Sequence, residues 1–317
     1  MKPRRDLYAT VTDQLIAAIE AGAGTWNMPW HLSSAPIMRP TSVAGRRYNG
    51  INRLILWATA DACGYSSGIF GTYQQWKGNG AQVRKGETGT HVILWKKVER
   101  QDGAGPIGNP GDGEGDSRAQ FFARSFVVFN RDQVDGADDG AIKKVTPIAT
   151  PIVDALTFLE SLDITVEYGP HDAYYRPDLD KVFLPQRIDF DSDLDLVSTL
   201  AHEIVHATGH PSRLSRETLR DYHKDRAIRS REELCAEIGS AMIMADLGLA
   251  CTPRPDHAAY LSSWLSVLRH DTRAIFAAAA QAQAAADWIH AAAAKAGSVR
   301  ADEGAITEPP ADLALAA

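Results

Sequence analysis

The sequence predicts an α+β protein of two domains: a mixed α/β front domain and a mainly helical rear domain with a small sheet. Three observations carry that expectation. The chain has 317 residues, more than one small core usually organises. Apolar runs of strand length recur from Gly68 to Phe129 and again around residues 164–184, whereas helical periodicity dominates from Leu194 onward. A polar stretch from Asp135 to Thr150, with Gly136 and Gly140, separates the two patterns and reads as a linker. A composition that is 44% hydrophobic, 23% charged and 8% aromatic excludes a fibre or a disordered chain.

In chain order, Val11, Leu15 and Ile19 recur in steps of four and predict a helix over Leu7–Ile19 that stops at Gly22 and Gly24. Trp26 to Trp30, with Pro36 and Pro40 beyond, reads as loop, and Ile51–Ala62 as a short helix. Val92–Trp95 and Phe121–Phe129 read as partner strands. Between them, residues 102–117 hold six glycines with Pro106 and Pro110 and read as a flexible insertion. The front domain is therefore placed at 1–140. The rear domain, 151–297, opens with a helix over Ile152–Leu162, then strands at Ile164–Val166 and Val182–Leu184. Helices follow over Leu194–Thr208, with Asp193 as N-cap and Gly209 as stop, and over Glu232–Leu247, Asp256–His270 and Thr272–Ala296. Residues 298–317, with Gly304, Pro309 and Pro310, read as a disordered tail.

Three scattered cysteines, Cys63, Cys235 and Cys251, are too few for a disulfide framework and point to a reducing compartment. Asp13 and Glu20 interrupt the first apolar stretch, so no signal peptide is expected, and the polar residues crossing Ala277–Ala296 argue against a membrane span. The expectation is a cytoplasmic protein with no membrane partner. Charge is unevenly spread. Residues 1–100 hold 13 Lys and Arg against 6 Asp and Glu, while the remainder holds 20 against 34. A basic front joined to an acidic rear suggests a polyanion as partner of the front alone.

The sharpest motif is His202-Glu203-Ile204-Val205-His206 inside a predicted helix. Histidines four apart project from one face, one turn from each other, which suits chelation of a single ion, Zn2+ or another divalent metal such as Mn2+. Glu203 can then act as general base on a metal-bound water. In the gluzincin arrangement the third ligand is a Glu on a later helix, and Glu233 and Glu237, four apart, are the candidates. By likeness to the thermolysin-type pattern, Glu233 is taken as ligand and Glu237 as the carboxylate supporting a histidine. His210 lies about 12 Å of helix rise beyond His202, too far to share the ion. Ser212 occupies the position where a longer three-histidine signature needs its last ligand.

Five of the seven tryptophans fall within residues 1–100, interleaved with cations. Stacking surfaces beside phosphate-seeking side chains are what a single-stranded nucleic-acid groove requires. The candidates are Arg46, Arg47, Tyr48, Asn52, Tyr73, Trp76, Lys77, Arg84, Lys85 and Lys96. Trp57, beside Leu54 and Ile55, reads instead as packed.

These residues resemble a known family, the ArdC-type antirestriction proteins of conjugative plasmids, related in their front part to TraC-type primases. The likeness rests on Tyr48-Asn49-Gly50-Ile51-Asn52, Gln82 to Glu87 and Phe126 to Asn130 in front. Behind, it rests on His202 to His210, Arg213-Leu214 and Glu232 to Gly239. It implies an N-terminal single-stranded-DNA-binding domain and a C-terminal zincin-like metallopeptidase domain, in a protein that shields incoming DNA from host restriction. Host restriction enzymes or another protein substrate would be its protein partners. Ala207 departs from the pattern, many relatives having an aromatic there. Two alternatives stay open: a DNA-binding occluder whose metal site is structural or inactive, and a general metallopeptidase docked on nucleic acid.

Overall fold

The computed structural model describes residues 6–22, 39–98, 120–138, 140, 151–249 and 257–305. The insertion at 102–117, Trp26, Trp30, Cys251 and most of the linker lie outside the described residues.

The front half opens with α1 (Leu7–Gly22), whose Val11, Leu15 and Ile19 are all buried, as their spacing demands. β1 (Thr41–Ser42), α2 (Ile51–Cys63), β2 (Ile69–Gly71), α3 (Tyr73–Gly78), β3 (Gln82–Val83), β4 (Thr90–Val98), β5 (Gln120–Asn130) and β6 (Val134–Asp135) follow. They form a four-stranded sheet in the order β1-β2-β5-β4 and a two-stranded β3-β6 pair. The long antiparallel β4–β5 ladder sets Val92 opposite Phe126 and Thr90 opposite Val128. Its inward face packs Val92 and Val128 with Phe70 and Leu56.

The rear half comprises α4 (Ile152–Glu160), then β7 (Thr165–Tyr168), β8 (Tyr174–Arg176) and β9 (Lys181–Leu184). These strands make a small sheet in the order β7-β9-β8, with β8 at its edge. Five helices complete it: α5 (Asp193–Thr208), α6 (Glu217–Arg220), α7 (Arg226–Asp246), α8 (His257–His270) and α9 (Ala274–Ala305). Among the described residues no helix is long and apolar enough to cross a membrane. The alanines of α9 serve packing: Ala278, Ala279, Ala282, Ala285 and Ala286 are buried, and small side chains let α9 lie close along α7.

Three local expectations are corrected. Ser192, not Asp193, caps α5, because its hydroxyl accepts the backbone N–H of Asp195 while Asp193 already turns within the helix. The helix expected from Glu232 starts six residues earlier, at Arg226, where the Asp225 carboxylate accepts the N–H of Ala227. The tail expected from Ser298 is helical as far as Ala305: no proline intervenes before Pro309, and Gly297 and Gly304 each cost a helix only about 1 kcal/mol. Residues 306–317 lie outside the described residues.

The buried core does not respect the expected domain boundary. One hydrophobic cluster runs from Val11, Leu15, Leu54 and Trp57 in front to Leu200, Ile204, Ile238 and Ile289 behind. α2 is covered on both sides, its Leu56 facing the sheet and its Leu54, Ile55 and Trp57 facing the rear helices.

Candidate metal centre and nucleic-acid face

Helix α5 is buried on its polar side as well as its apolar one. Leu196, Val197, Leu200, Ala201, Ile204 and Val205 are buried, so His202, Glu203 and His206 are carried into the interior with them. α7 crosses α5 at Gly239, where a Cβ would come within 2.8 Å of the Val205 side chain, so the glycine permits the close approach. That approach brings Glu233 to the histidines. Its Oε2 lies 3.4 Å from His202 Nε2 and its Oε1 3.7 Å from His206 Nε2, while the two Nε2 atoms stand 3.2 Å apart.

Donor atoms of His202, His206 and Glu233 all lie within 4.8 Å of one another, and all three residues are buried. Two imidazole nitrogens and a carboxylate oxygen converging on one point are a donor set that fits a divalent ion. Glu203, the next residue after His202, is buried beside them and lines the same cleft. The cleft holds about 860 Å³ and opens between the β8 edge, at Tyr174 and Arg176, and the α6 segment, at Leu219 and Tyr222.

The two histidines are supported unequally. His206 Nδ1 lies 3.1 Å from Glu232 Oε1, in hydrogen-bond range, and Glu232 also accepts from Arg216 and Thr218. His202 Nδ1 is 3.7 Å from Glu237 Oε2, too long for a hydrogen bond, and has no hydrogen-bond partner among the described residues. Burial opposes a charge on His206, but the neighbouring Glu233 charge and the hydrogen bond to Glu232 outweigh it and raise its pKa to about 10. Burial likewise opposes the Glu232 anion, yet His206 and Arg216 hold its carboxyl down at about 2. Glu233 is lowered as well, burial being overcome by the two histidines.

Sequence reasoning passed over Glu232, Arg216 and Tyr222. Glu232 stands beside Glu233, and its place on the helix face was the one available signal. Tyr222, whose hydroxyl donates to Glu233 Oε1, gives no sequence signal. His210 bonds Ser212 Oγ at 2.7 Å, away from the cluster.

The front candidates divide. Arg46, Arg47, Tyr73, Lys77 and Lys85 are exposed, and Lys96 is placed by its backbone opposite Phe122 in the β4–β5 ladder. Arg84 is exposed but is held by Glu87 at 2.7 Å and lies 3.5 Å from Asp135. Tyr48 is half-buried against the Leu56–Phe70 cluster, and burial pushes its phenol up to about 12. Two expectations are corrected. Trp76 is fully buried and its indole N–H donates to Phe129 O at 2.9 Å, so it offers no face to a base. Asn52 spends its amide on the open edge of β4, donating to Ile93 O and accepting from Ile93 N, both at 2.7 Å.

Residues 5–129 match the family model of the N-terminal domain of anti-restriction factor ArdC, and residues 153–281 match that of a zincin-like metallopeptidase. An uncharacterized protein, y4eC of Sinorhizobium fredii, is 44% identical over 287 residues, covering 90% of this chain and 92% of that one. DNA primase TraC of Escherichia coli is 34% identical over 91% of this chain, which corresponds to only 20% of the primase. Among solved structures, the antirestriction ArdC protein from the R388 plasmid superposes with a TM-score of 0.74 at 37% identity, over 92% of this chain and 98% of that one. Its Mn(II)-bound form gives the same score at 38% identity, over 91% and 98%. A likeness of that extent, reaching through both halves and across the core they share, shows that the chain belongs to the ArdC family of anti-restriction proteins.

Proposed function

We propose that this protein guards incoming DNA against host restriction by holding single strand on its front half, and that its rear half is a metal-dependent peptidase. One observation carries the second part: a buried two-histidine, one-carboxylate cluster lies with Glu203 on the wall of an open cleft. A structural ion site would be closed and would have no use for a general base.

His202, His206 and Glu233 would hold the ion, zinc or manganese; the Mn(II)-bound ArdC structure supports a divalent cation. Such an ion supplies Lewis acidity toward a water and a carbonyl oxygen. Glu203 takes a proton from the attacking water and returns it to the leaving amine, a role its place in the cleft allows. Behind His206, Glu232 stands 3.1 Å from Nδ1 and accepts from Arg216. Support for the first part comes from exposed Arg46, Arg47, Lys77 and Lys85. It comes also from Arg124, a further exposed cation, on β5.

The test is protection of transferred plasmid DNA in a restricting host, comparing wild type with Glu203→Gln. Loss of protection with the ion still bound makes hydrolysis part of the function. Full protection reduces the function to occlusion of DNA and leaves the peptidase chemistry without a part in it.

A further inference from the structure

Arg216 is a buried cation that lies next to the metal centre without belonging to the donor cluster. It follows Ser215, whose φ of 48° is a left-handed conformation that costs a non-glycine residue on the order of 1–3 kcal/mol. The guanidinium has two sides. On one, Nη2 donates to Val205 O at 2.6 Å and reaches His206 O at 3.3 Å, and Nη1 donates to Thr208 Oγ1 at 2.7 Å. These groups lie in the last turn of α5, where carbonyls lack a following helical N–H. On the other, Nη2 and Nε donate to Glu232 Oε1 at 2.7 Å and Oε2 at 3.2 Å.

Gly209 belongs to the same arrangement. Its φ of −75° is ordinary helical backbone, so the chain does not need glycine there for conformation. It needs glycine for room: a Cβ would lie 2.8 Å from Arg216 Nη2 and 2.9 Å from its Cζ. The sequence reading of Gly209 as a helix stop thus found the right place for a different reason. A guanidinium that merely capped a helix would have no call for a buried carboxylate bonded to a histidine. Here one guanidinium ties the end of the helix that carries both histidines to the carboxylate that orients one of them.

We propose that Arg216 is a positioning residue of the metal centre: through Glu232 it sets the heading and the Nδ1–H tautomer of His206, leaving Nε2 free for the ion, and through the α5 carbonyls it holds the last turn that carries His206. This rests on His202, His206 and Glu233 being the ligand set. Removing supports of this kind typically weakens metal binding about 10- to 100-fold.

The experiment is titration of the full chain with Zn(II) and, separately, Mn(II) in competition with a chelator. Far-UV circular dichroism monitors folding, and the visible spectrum of the Co(II)-loaded protein reports ligand geometry. Arg216→Met and Glu232→Gln should each weaken binding about 10- to 100-fold, and the double variant should be little worse than either, because both lie on one path. Thr218→Val, which removes one donor from Glu232, should weaken binding a few-fold, and Arg216→Lys should recover part of the loss. A changed Co(II) spectrum in Arg216→Met is expected. A folded Arg216→Met with wild-type affinity, or fully additive losses in the double variant, overturns the proposal. Should Arg216→Met fail to fold, wild-type affinity in both Thr218→Val and Arg216→Lys overturns it instead. A wild type that binds neither ion overturns the ligand set itself, a result distinct from all of these.

Discussion

Arg53 of α2 donates through Nη2 to Asp246 Oδ1 of α7 at 2.7 Å, with both side chains withdrawn from solvent. The same nitrogen donates to Met242 O at 3.0 Å, and Asp246 also engages His290 Nε2 at 3.0 Å and Arg39 Nη1 at 3.2 Å. Burial lowers the Arg53 pKa to about 10, against the pull of Asp246, and so leaves it charged at neutral pH. Its neighbour Asn52 grips the edge of β4. Consecutive residues of one short helix therefore hold the front sheet and the helix that carries Glu232, Glu233 and Glu237.

Arg53→Met should for that reason destabilise the whole molecule and not the front half alone. Breaking a buried pair on one side costs about 3–5 kcal/mol. Urea unfolding followed by tryptophan fluorescence and by far-UV circular dichroism should show one shared transition, shifted to lower urea in the variant. Two separate transitions in the wild type would show that the halves fold independently, against the common core.

Proton and ion compete for the Nε2 of His206. Because its pKa without the ion is about 10, it is protonated at pH 7, and ion binding should release about one proton. Apparent affinity should therefore rise about tenfold per pH unit through the neutral range. The raised His206 pKa stabilises the ion-free fold fully below the ordinary value of 6.5, and that contribution is lost as pH rises through about 10. The depressed Glu232 pKa stabilises it above the ordinary 4.5 and is lost as pH falls through about 2. The gain in Tm on loading should grow from pH 6 to pH 10. Calorimetry in two buffers of different ionisation enthalpy counts the protons; none released at pH 7 would sink the argument.

On the front half, burial separates packing from binding. Trp76→Ala should cost about 3–5 kcal/mol of stability, as expected for a buried aromatic, whereas its direct effect on oligonucleotide affinity should be small. Arg47→Ala and Lys85→Ala should leave stability nearly unchanged, weaken binding of a single-stranded oligonucleotide and each reduce the salt slope by about 1. Fluorescence anisotropy at several salt concentrations measures both. An unchanged slope in both exposed variants would remove this surface from the nucleic-acid face.

Local spacing made the candidate metal centre legible. Two histidines four apart meet on one helix face in any fold that keeps the helix, and Glu233 and Glu237 declare a shared face in the same way. The choice between those two glutamates was not local, because it depends on how α7 crosses α5, and the crossing depends on Gly239 lying against Val205. Arg216 and Tyr222 were illegible for a related reason. They come from the short segment between α5 and α7, whose path back over the histidines follows no periodicity.

Composition could say that tryptophans and cations mingle in the front hundred residues. Which of them face water was another matter: Trp76 and Asn52 lie among residues of the same character as Tyr73 and Lys85, yet they are used in packing and in closing a sheet edge. The helices, the strand pair and the HExxH donors follow from interactions within a few residues, and these survive in almost any surroundings. The single core across both halves, the approach of Glu233 to the histidines, the hydrogen bonds behind His206 and the open cleft follow from contacts between residues far apart in the chain. Burial, which decides whether a side chain packs, binds or catalyses, is a property of the assembled fold.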